Sequence, residues 1–370
     1  LGVSGLLKKN KVDVIKGFGK LLGDGRLNVI RDKASPIDLS AQNIIIASGA
    51  RARVLNGLEP DGKLIWTYKE AMTPDIMPKK LLVVGSGAIG IEFASFYNTL
   101  GTEVTVIEVL PRILPTEDIE ISELAQELFE KDGINFITKA KLESFKKKNG
   151  TVTAIINIDE KVHELDFDRV IMAVGIQGNH ENLGLENTMV KVEKGHIVAD
   201  QWNATAEAGV HAIGDIVGPP WLAHKASHEG IICVERIAGK KKTHPLDKNK
   251  IPGCTYSYPQ IASVGLTEAQ ATEKGFDIKV GKFPFVGNGK AIALGEPEGL
   301  IKTIFDASNG ELLGAHMIGT EVTELIQGYS IGMTLETTEA EIIETVFPHP
   351  TLSEMMHESV LNAYERAIHF

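Results

Sequence analysis

"LLVVGSGAIGIEFA", residues 81–94, is the stretch whose reading decides the fold. Leu81 to Val84 form an apolar run that leads into Gly85-Ser86-Gly87 and then Gly90, a G-x-G-x-x-G pattern. A run without polar breaks suits a strand buried on both faces. Downstream, Ile89, Phe93, Phe96, Tyr97 and Leu100 fall on one helical face, and Gly101 suits that helix's end. "EVTVIE" (103–108) is a second strand-like run, and it ends in Glu108, 18 positions after Gly90. "TEDIEISELAQELFEKDG" (116–133) then predicts another helix, with acids in its first turn and glycine just past its end. Strand, helix, strand and helix in this order begin a doubly wound parallel sheet.

A glycine pattern alone has a plain alternative, a turn that binds nothing. The strand before it, the helix after it and the acid at the next strand's end favour a Rossmann-type dinucleotide loop. Gly85 allows the tight turn, Gly87 lets a pyrophosphate approach the backbone, and Gly90 lets helix and strand pack closely. Ser86, Ala88, Ile89 and Ile91 complete the candidate loop, whose N–H groups face the phosphates. Glu108 is placed to accept hydrogen bonds from an adenosine ribose. Its charge opposes a 2′-phosphate, Val109 offers no cation, and Arg112, after Pro111, is expected to point elsewhere. NAD is therefore expected rather than NADP.

Composition excludes several classes. The chain has 370 residues, a net charge of −11 and 43 % hydrophobic residues, room for two or three domains with substantial cores. Lys146-Lys147-Lys148 and Lys240-Lys241-Lys242 read as solvated loops, too short for a nucleic-acid surface. No apolar run approaches the ~18 residues of a membrane span, and no secretory signal opens the sequence. Cys233 and Cys254 are the only cysteines, which argues against a disulfide framework or a cysteine-rich metal site. No metal, membrane or nucleic-acid partner is expected, and the pattern suits an intracellular α/β protein.

Further strand-like runs end in glycine at 12–17, 43–49, 169–175 and 210–215. Residues 141–167 alternate like an antiparallel insertion, and 245–252 reads as a linker. Beyond it an α+β pattern predicts strands at 259–265 and 277–285 and a hairpin over 299–318 turning at Ser308-Asn309-Gly310. Helices follow at about 321–333, 338–346 and 351–367.

Six separated motifs, "VVGSGAIGIEFA", "AVGIQGN", "HAIGDIVG", "WLAHKASHEG", "YSYPQIASVGLTEAQA" and "HPTLSE", stand in one order along the chain. In that order the sequence resembles the flavin-dependent pyridine nucleotide-disulfide oxidoreductases, most of all their dihydrolipoyl dehydrogenase branch. The resemblance implies an FAD domain split by an NAD domain, followed by a dimerisation domain. The expected spans are 1–70 and 191–248 for FAD, 71–190 for NAD and 249–370 for dimerisation. On the FAD side it implies Gly17, the turn Ala47-Ser48-Gly49, Gly214 and Asp215 against the ribitol, and the helix start at Trp221, Leu222, Ala223 and His224. Trp221 stands where the family pattern has methionine. On the NAD side it adds Glu92, Ala140 and Gly175. Each piece by itself is also an ordinary turn or surface residue; their order is what joins them.

By the same resemblance His349 is the base for thiol–disulfide exchange, serving the partner subunit's site, and Glu354 orients it. The plain alternative is a capped helix, with Pro350 in its first turn and Thr351 and Ser353 at its start. Met355 and Met356 are expected in the core and His357 at the surface. The implied function is oxidation of dihydrolipoyl groups, with electrons passing through a cysteine disulfide and FAD to NAD. Homodimers would serve lipoyl domains of 2-oxoacid dehydrogenase complexes or the glycine cleavage system, in a bacterial cytoplasm or mitochondrial matrix.

The sequence departs from the family pattern at its front. Neither the first FAD glycine motif nor a cysteine pair four residues apart is present, and the chain starts at Leu1. It is therefore expected to be a fragment lacking about a hundred residues. As it stands it should bind NAD and dimerise, but not reduce a disulfide or hold FAD well. Two alternatives remain open: a glutathione- or mercury-type reductase, against which Glu108 argues, and a nucleotide-binding or dimerisation module without catalysis.

Overall fold

The computed structural model describes residues 2–148 and 150–370. Contacts divide the chain into two compact units, Leu1–Arg51 with Ile176–Leu246 and Ala52–Gly175 with Asp247–Phe370.

In the second unit, a five-stranded parallel sheet runs in the order Ile65–Trp66, Arg169–Met172, Lys80–Val84, Glu103–Ile107, Asn135–Ile137. Leu81 to Val84 and all of Arg169–Met172 are buried, as two covered faces require. Alternate side chains go to opposite faces. Leu81 and Val83 pack with Ile91, Ala94 and Tyr97 of the helix Ala88–Thr99 and with Ile121 and Ala125 of the helix Ile119–Lys131. Leu82 and Val84 pack instead with Leu142, Val152, Ala154 and Ile156. Those residues belong to the expected antiparallel insertion, Ala140–Lys148, Thr151–Ile158 and Lys161–Phe167.

The C-terminal part of this unit is an antiparallel sheet in the order Gly253–Thr255, Gln260–Gly265, Leu312–Gly319, Leu300–Asp306, Ile278–Pro284. The helices Val322–Thr334 and Glu354–Ala363 pack against it through Val322, Ile326, Tyr329, Met355 and Val360. In the first unit, Ile44–Ile46 pairs in parallel with Val210–Ala212, and Phe18–Gly23, Arg26–Ile30 and Ile37–Ser40 form an antiparallel sheet.

Four expectations are corrected. The run 12–17 is not a strand; extended pairing begins at Phe18, opposite Ile30. Lys146, Lys147 and Lys148 lie on a strand rather than in a loop, with Lys146 and Lys147 each 2.7 Å from the carboxylates of Glu164 and Asp61. The last helix starts at Glu354, so Pro350 and Thr351 precede it. The seams fall after Arg51 and Gly175, where 70/71 and 190/191 were expected. Ile65–Trp66 joins the parallel sheet, which draws the residues after Arg51 into the second unit. Leu183, Leu185 and Val190 pack in the core of the first unit, which draws in the residues from Ile176 onward.

One buried cation joins three elements of the second unit. Lys302, from the inner strand Leu300–Asp306, reaches Asp118 Oδ1 at 2.8 Å, Glu268 Oε2 at 2.6 Å and Glu120 Oε2 at 3.2 Å. Asp118 caps the helix Ile119–Lys131, and Glu268 opens the helix Glu268–Glu273. Burial pushes the Asp118 carboxyl up, but the Lys302 ammonium outweighs it and holds the group below its ordinary value. His316, opposite Lys302 on the next strand, is pushed down by its burial and stays neutral beside the cation.

Lys302→Met removes one partner and strands the buried Asp118 carboxylate, so a loss of about 3–5 kcal/mol is expected in urea unfolding at neutral pH. Because the folded Asp118 pKa is depressed, its share of the stability is present above the unfolded value of about 3.9 and is lost as pH falls through the folded value. The difference between parent and variant should accordingly shrink on acidification. A constant difference would assign the effect to packing alone.

Candidate functional site

The glycine loop follows directly from the strand Lys80–Val84. Gly85 sits at φ +100°, where a side chain would collide with the Ala173 carbonyl. A Cβ on Gly90 would strike the Gly85 carbonyl oxygen, so the first helical turn lies directly on the strand end. Gly87 differs from both: a Cβ there meets nothing within 4 Å. It is also the N-cap of Ala88–Thr99 and provides no side-chain cap. An uncapped helix start facing an open position suits a phosphate group.

Glu108 closes this loop. Its Oε2 accepts hydrogen bonds from the Ser86 N–H (2.9 Å) and Oγ (2.8 Å), and its Oε1 accepts one from the Leu110 N–H (2.9 Å). A carboxylate offers about four acceptor positions, so capacity for a ribose hydroxyl remains. The Ala140 N–H donates to the Glu108 carbonyl at 2.9 Å, which places Ala140 beside the same strand end. Arg112 points away as expected, donating to the carbonyls of Glu117 and Pro115. Ile89 is exposed on the helix's first turn, whereas Ser86 and Ile91 are buried. Gly175, at φ +103°, also has open space where a side chain would stand. Glu92 is held through one oxygen. Its Oε1 accepts the Tyr256 N–H at 2.8 Å, and burial pushes its carboxyl above the ordinary value.

The first unit contains the other set. Gly17, at φ +157°, has Ile30 O and Val29 Cγ1 2.6 Å from where a Cβ would be. After Ile44–Ile46, Ala47-Ser48-Gly49 forms a turn tied to Asn179: Ser48 Oγ donates to the Asn179 carbonyl (2.8 Å) and Asn179 Nδ2 to the Ser48 carbonyl (2.9 Å). Gly49 faces open space at φ +68°. The strand Val210–Ala212 ends before Gly214, which opens a short 3-10 turn, Gly214–Val217, with Asp215 half-buried in it. The helix Ala223–Ile237 has Leu222 as its N-cap, again without a side-chain cap, and His224 in its first turn. Trp221, just before it, donates its indole N–H to His196 Nε2 at 3.3 Å. A positive-φ turn with open space, a half-buried carboxylate and an uncapped helix start fit a second dinucleotide.

Sequence reading missed two supports of this second set. Asn179 anchors Ser48, and Lys225 with Glu229 grips Gly214. Glu229 Oε2 accepts the Gly214 N–H at 2.7 Å, and Lys225 Nζ donates to the carbonyls of Gly214 (3.3 Å) and Gly218 (3.0 Å). The four-residue spacing of Lys225 and Glu229 was a visible signal for the second support.

His349 and Glu354 come together. His349 Nδ1 lies 2.9 Å from Glu354 Oε1, while Glu354 Oε2 accepts the Thr351 N–H at 2.8 Å. The His349 side chain is 80 % exposed, so Nε2 is left for another partner. Burial pushes the Glu354 carboxyl up, but the Thr351 N–H and the His349 ring outweigh it and hold it below its ordinary value. Met355 and Met356 are core residues as expected. His357 is half-buried where a surface position was expected: it stacks on Phe347 at 5.3 Å, and its Nε2 lies 3.0 Å from the Ile343 carbonyl. Both cysteines are free, and burial pushes both thiols up, the opposite of an exchange nucleophile. Among the described residues, no His/Cys/Asp/Glu cluster could hold a metal, and no helix is long and apolar enough to cross a membrane.

Known proteins resemble this chain over nearly its whole length. The profile of the pyridine nucleotide-disulphide oxidoreductases matches residues 1–230, and that of their dimerisation domain matches 251–360. The chain is 55 % identical to a dihydrolipoyl dehydrogenase of Rhizobium etli, over 99 % of this chain and 79 % of the relative. It is 54 % identical to a dihydrolipoyl dehydrogenase of Zymomonas mobilis, over 100 % of this chain and 79 % of the relative. The crystal structure of LpdA from Mycobacterium tuberculosis superposes with a TM-score of 0.91 at 26 % identity, covering 97 % of this chain and 79 % of that one. With both profiles matched in order and relatives this similar over nearly its whole length, the chain belongs to the pyridine nucleotide-disulphide oxidoreductase family, whose cofactors are FAD and NAD, and within it to the dihydrolipoyl dehydrogenases.

Proposed function

We propose that the protein oxidises dihydrolipoyl groups with NAD. The dithiol loses two electrons and two protons to become a cyclic disulfide, NAD takes a hydride, and one proton is released. The observation that carries this reading is the His349–Glu354 pair, with Nδ1 held at 2.9 Å and Nε2 left open. His349 Nε2 takes a proton from a dihydrolipoyl thiol, because only the thiolate attacks a disulfide. Glu354 fixes the tautomer and stabilises the imidazolium. FAD, when bound, relays the electron pair from the thiol side to the nicotinamide. The accepting disulfide is a separate requirement that the buried Cys233 and the half-buried Cys254 do not meet.

The cofactor residues divide as the fold does. Gly85, Ser86, Gly87, Ala88, Ile89, Gly90, Ile91, Glu92, Glu108, Ala140 and Gly175, assigned to NAD, fall within Ala52–Gly175. Gly17, Ala47, Ser48, Gly49, Gly214, Asp215, Trp221, Leu222, Ala223 and His224, assigned to FAD, fall within Leu1–Arg51 and Ile176–Leu246. Glu108 keeps a negative charge at the ribose and so favours NAD over NADP. Residues 251–360 carry a homodimer, and the macromolecular substrate is a lipoyl domain of a 2-oxoacid dehydrogenase complex or of the glycine cleavage system, in the cytoplasm or the mitochondrial matrix.

His349→Gln should lower kcat for dihydrolipoamide oxidation about 10²–10⁴-fold, with NAD binding unchanged; Glu354→Gln should lower it less. Equal turnover by His349→Gln and the parent would remove the histidine from the reaction. In the nucleotide loop, Gly87→Ala should fold normally yet weaken NAD about tenfold. Gly90→Ala should instead lose stability, by about 1–3 kcal/mol. Calorimetric titration and thermal unfolding separate the two effects, and an unchanged NAD affinity in Gly87→Ala would refute the pyrophosphate assignment.

A further inference from the structure

Lys225 and Glu229 are buried charges that no step of the proposed reaction uses. They lie one turn apart on Ala223–Ile237, and their residues are only 1 % and 5 % exposed. Their side chains meet at 3.0 Å. Both also reach back past the helix start to the preceding turn. Glu229 takes the Gly214 N–H, Lys225 takes the Gly214 carbonyl, and Lys225 also takes the Gly218 carbonyl. Both backbone groups of Gly214 and the far end of the turn are thus held by one helix. Gly214 needs its φ of +79°, and a Cβ there would press on Ala226 Cβ at 3.3 Å, so turn and helix are in close contact.

A buried ion pair adds little net stability, because desolvation about cancels the attraction. What it supplies is direction: charge-assisted hydrogen bonds are short and strongly oriented. Here the fixed relation is between the turn that carries Asp215 and the helix whose first turn follows Leu222. We propose that Lys225 and Glu229 are positioning residues for FAD, locking the 214–218 turn to the helix start and so setting the spacing between the Asp215 carboxylate and the N–H groups of Leu222, Ala223 and His224. This rests on the FAD assignment made above for those residues.

The test uses the flavin-loaded protein and reads FAD release by the recovery of flavin fluorescence, with NAD binding as the control for the rest of the fold. Lys225→Met/Glu229→Leu replaces the pair with apolar side chains of similar size. It should release FAD about tenfold faster or more, with NAD affinity unchanged. Glu229→Gln keeps an acceptor for the Gly214 N–H and should retain FAD nearly as the parent does. Lys225→Gln, a milder change, cannot hold the Gly214 and Gly218 carbonyls together; it should also speed release, and it decides the matter if the double variant does not fold. Asp215→Ala is the reference for the FAD assignment. If Asp215→Ala releases FAD quickly while the double variant and Lys225→Gln hold it as the parent does, the positioning role is overturned and the FAD assignment stands. If none of these variants alters release, the FAD assignment of Asp215 falls and the positioning role falls with it.

Discussion

The contact between Gly90 and the Gly85 carbonyl is the constraint around which the nucleotide-binding half is built. With no room for a methyl group, the helix Ala88–Thr99 begins directly on the strand end. That contact brings Ile91, Ala94 and Tyr97 onto Leu81 and Val83, and it leaves Gly87 at the exposed corner. The same geometry brings Ser86 under Glu108, whose carboxylate spans the loop and the start of the next connection. Packing and binding here are one arrangement. Sterics at Gly85 and Gly90 create the fold, and the same geometry leaves open space at Gly87.

Two buried lysines repeat one solution in different places. Lys302 ties two helix starts to a sheet strand, and Lys225 ties a turn to a helix start. Each ammonium lies where several carbonyl or carboxylate oxygens converge, and each carries a partner acid. Apolar packing alone tolerates small slides between elements. Multiple directed bonds to one cation do not, which suits places where the spacing of backbone groups matters more than added stability.

Periodicity and turn chemistry made much of this legible. The run Leu81–Val84, the helix face from Ile89 to Leu100 and the acid-first helix after Glu117 carry local signals that tertiary structure did not override. Six motifs in order pointed to the family before any coordinates. Where local pattern misled, a long-range contact decided. Residues 12–17 have an apolar rhythm but no partner strand, whereas Phe18–Gly23 finds Arg26–Ile30 across a tight turn. The seams were misplaced because Ile65–Trp66 is a two-residue strand whose membership depends on Arg169–Met172, about a hundred residues on. His357 looked like a surface residue because a sequence does not show Phe347 beside it. Lys225 and Glu229 were readable as a helical ion pair, but their grip on Gly214 appears only when turn and helix fold back on one another.

In the histidine–carboxylate pair, one carboxylate closes a turn and holds an exposed imidazole. Glu354 is the first residue of the last helix, and its carboxylate takes the Thr351 N–H just before it, so one oxygen does ordinary turn-closing work. The other oxygen binds His349 Nδ1. A cap alone has no need of the histidine, because the turn is already closed from the Thr351 side. A base does need the carboxylate, because an imidazole in water exchanges between tautomers, and free histidine favours the proton on Nε2, until Nδ1–H is held. With Nδ1 committed to Glu354, the proton-accepting lone pair is confined to Nε2, on the exposed side of the ring. Met355, Met356 and Val360 fix the helix that carries Glu354 in the C-terminal core. The His349 ring is thus set by the packing of a helix it does not belong to, and its second nitrogen lies on the exposed side.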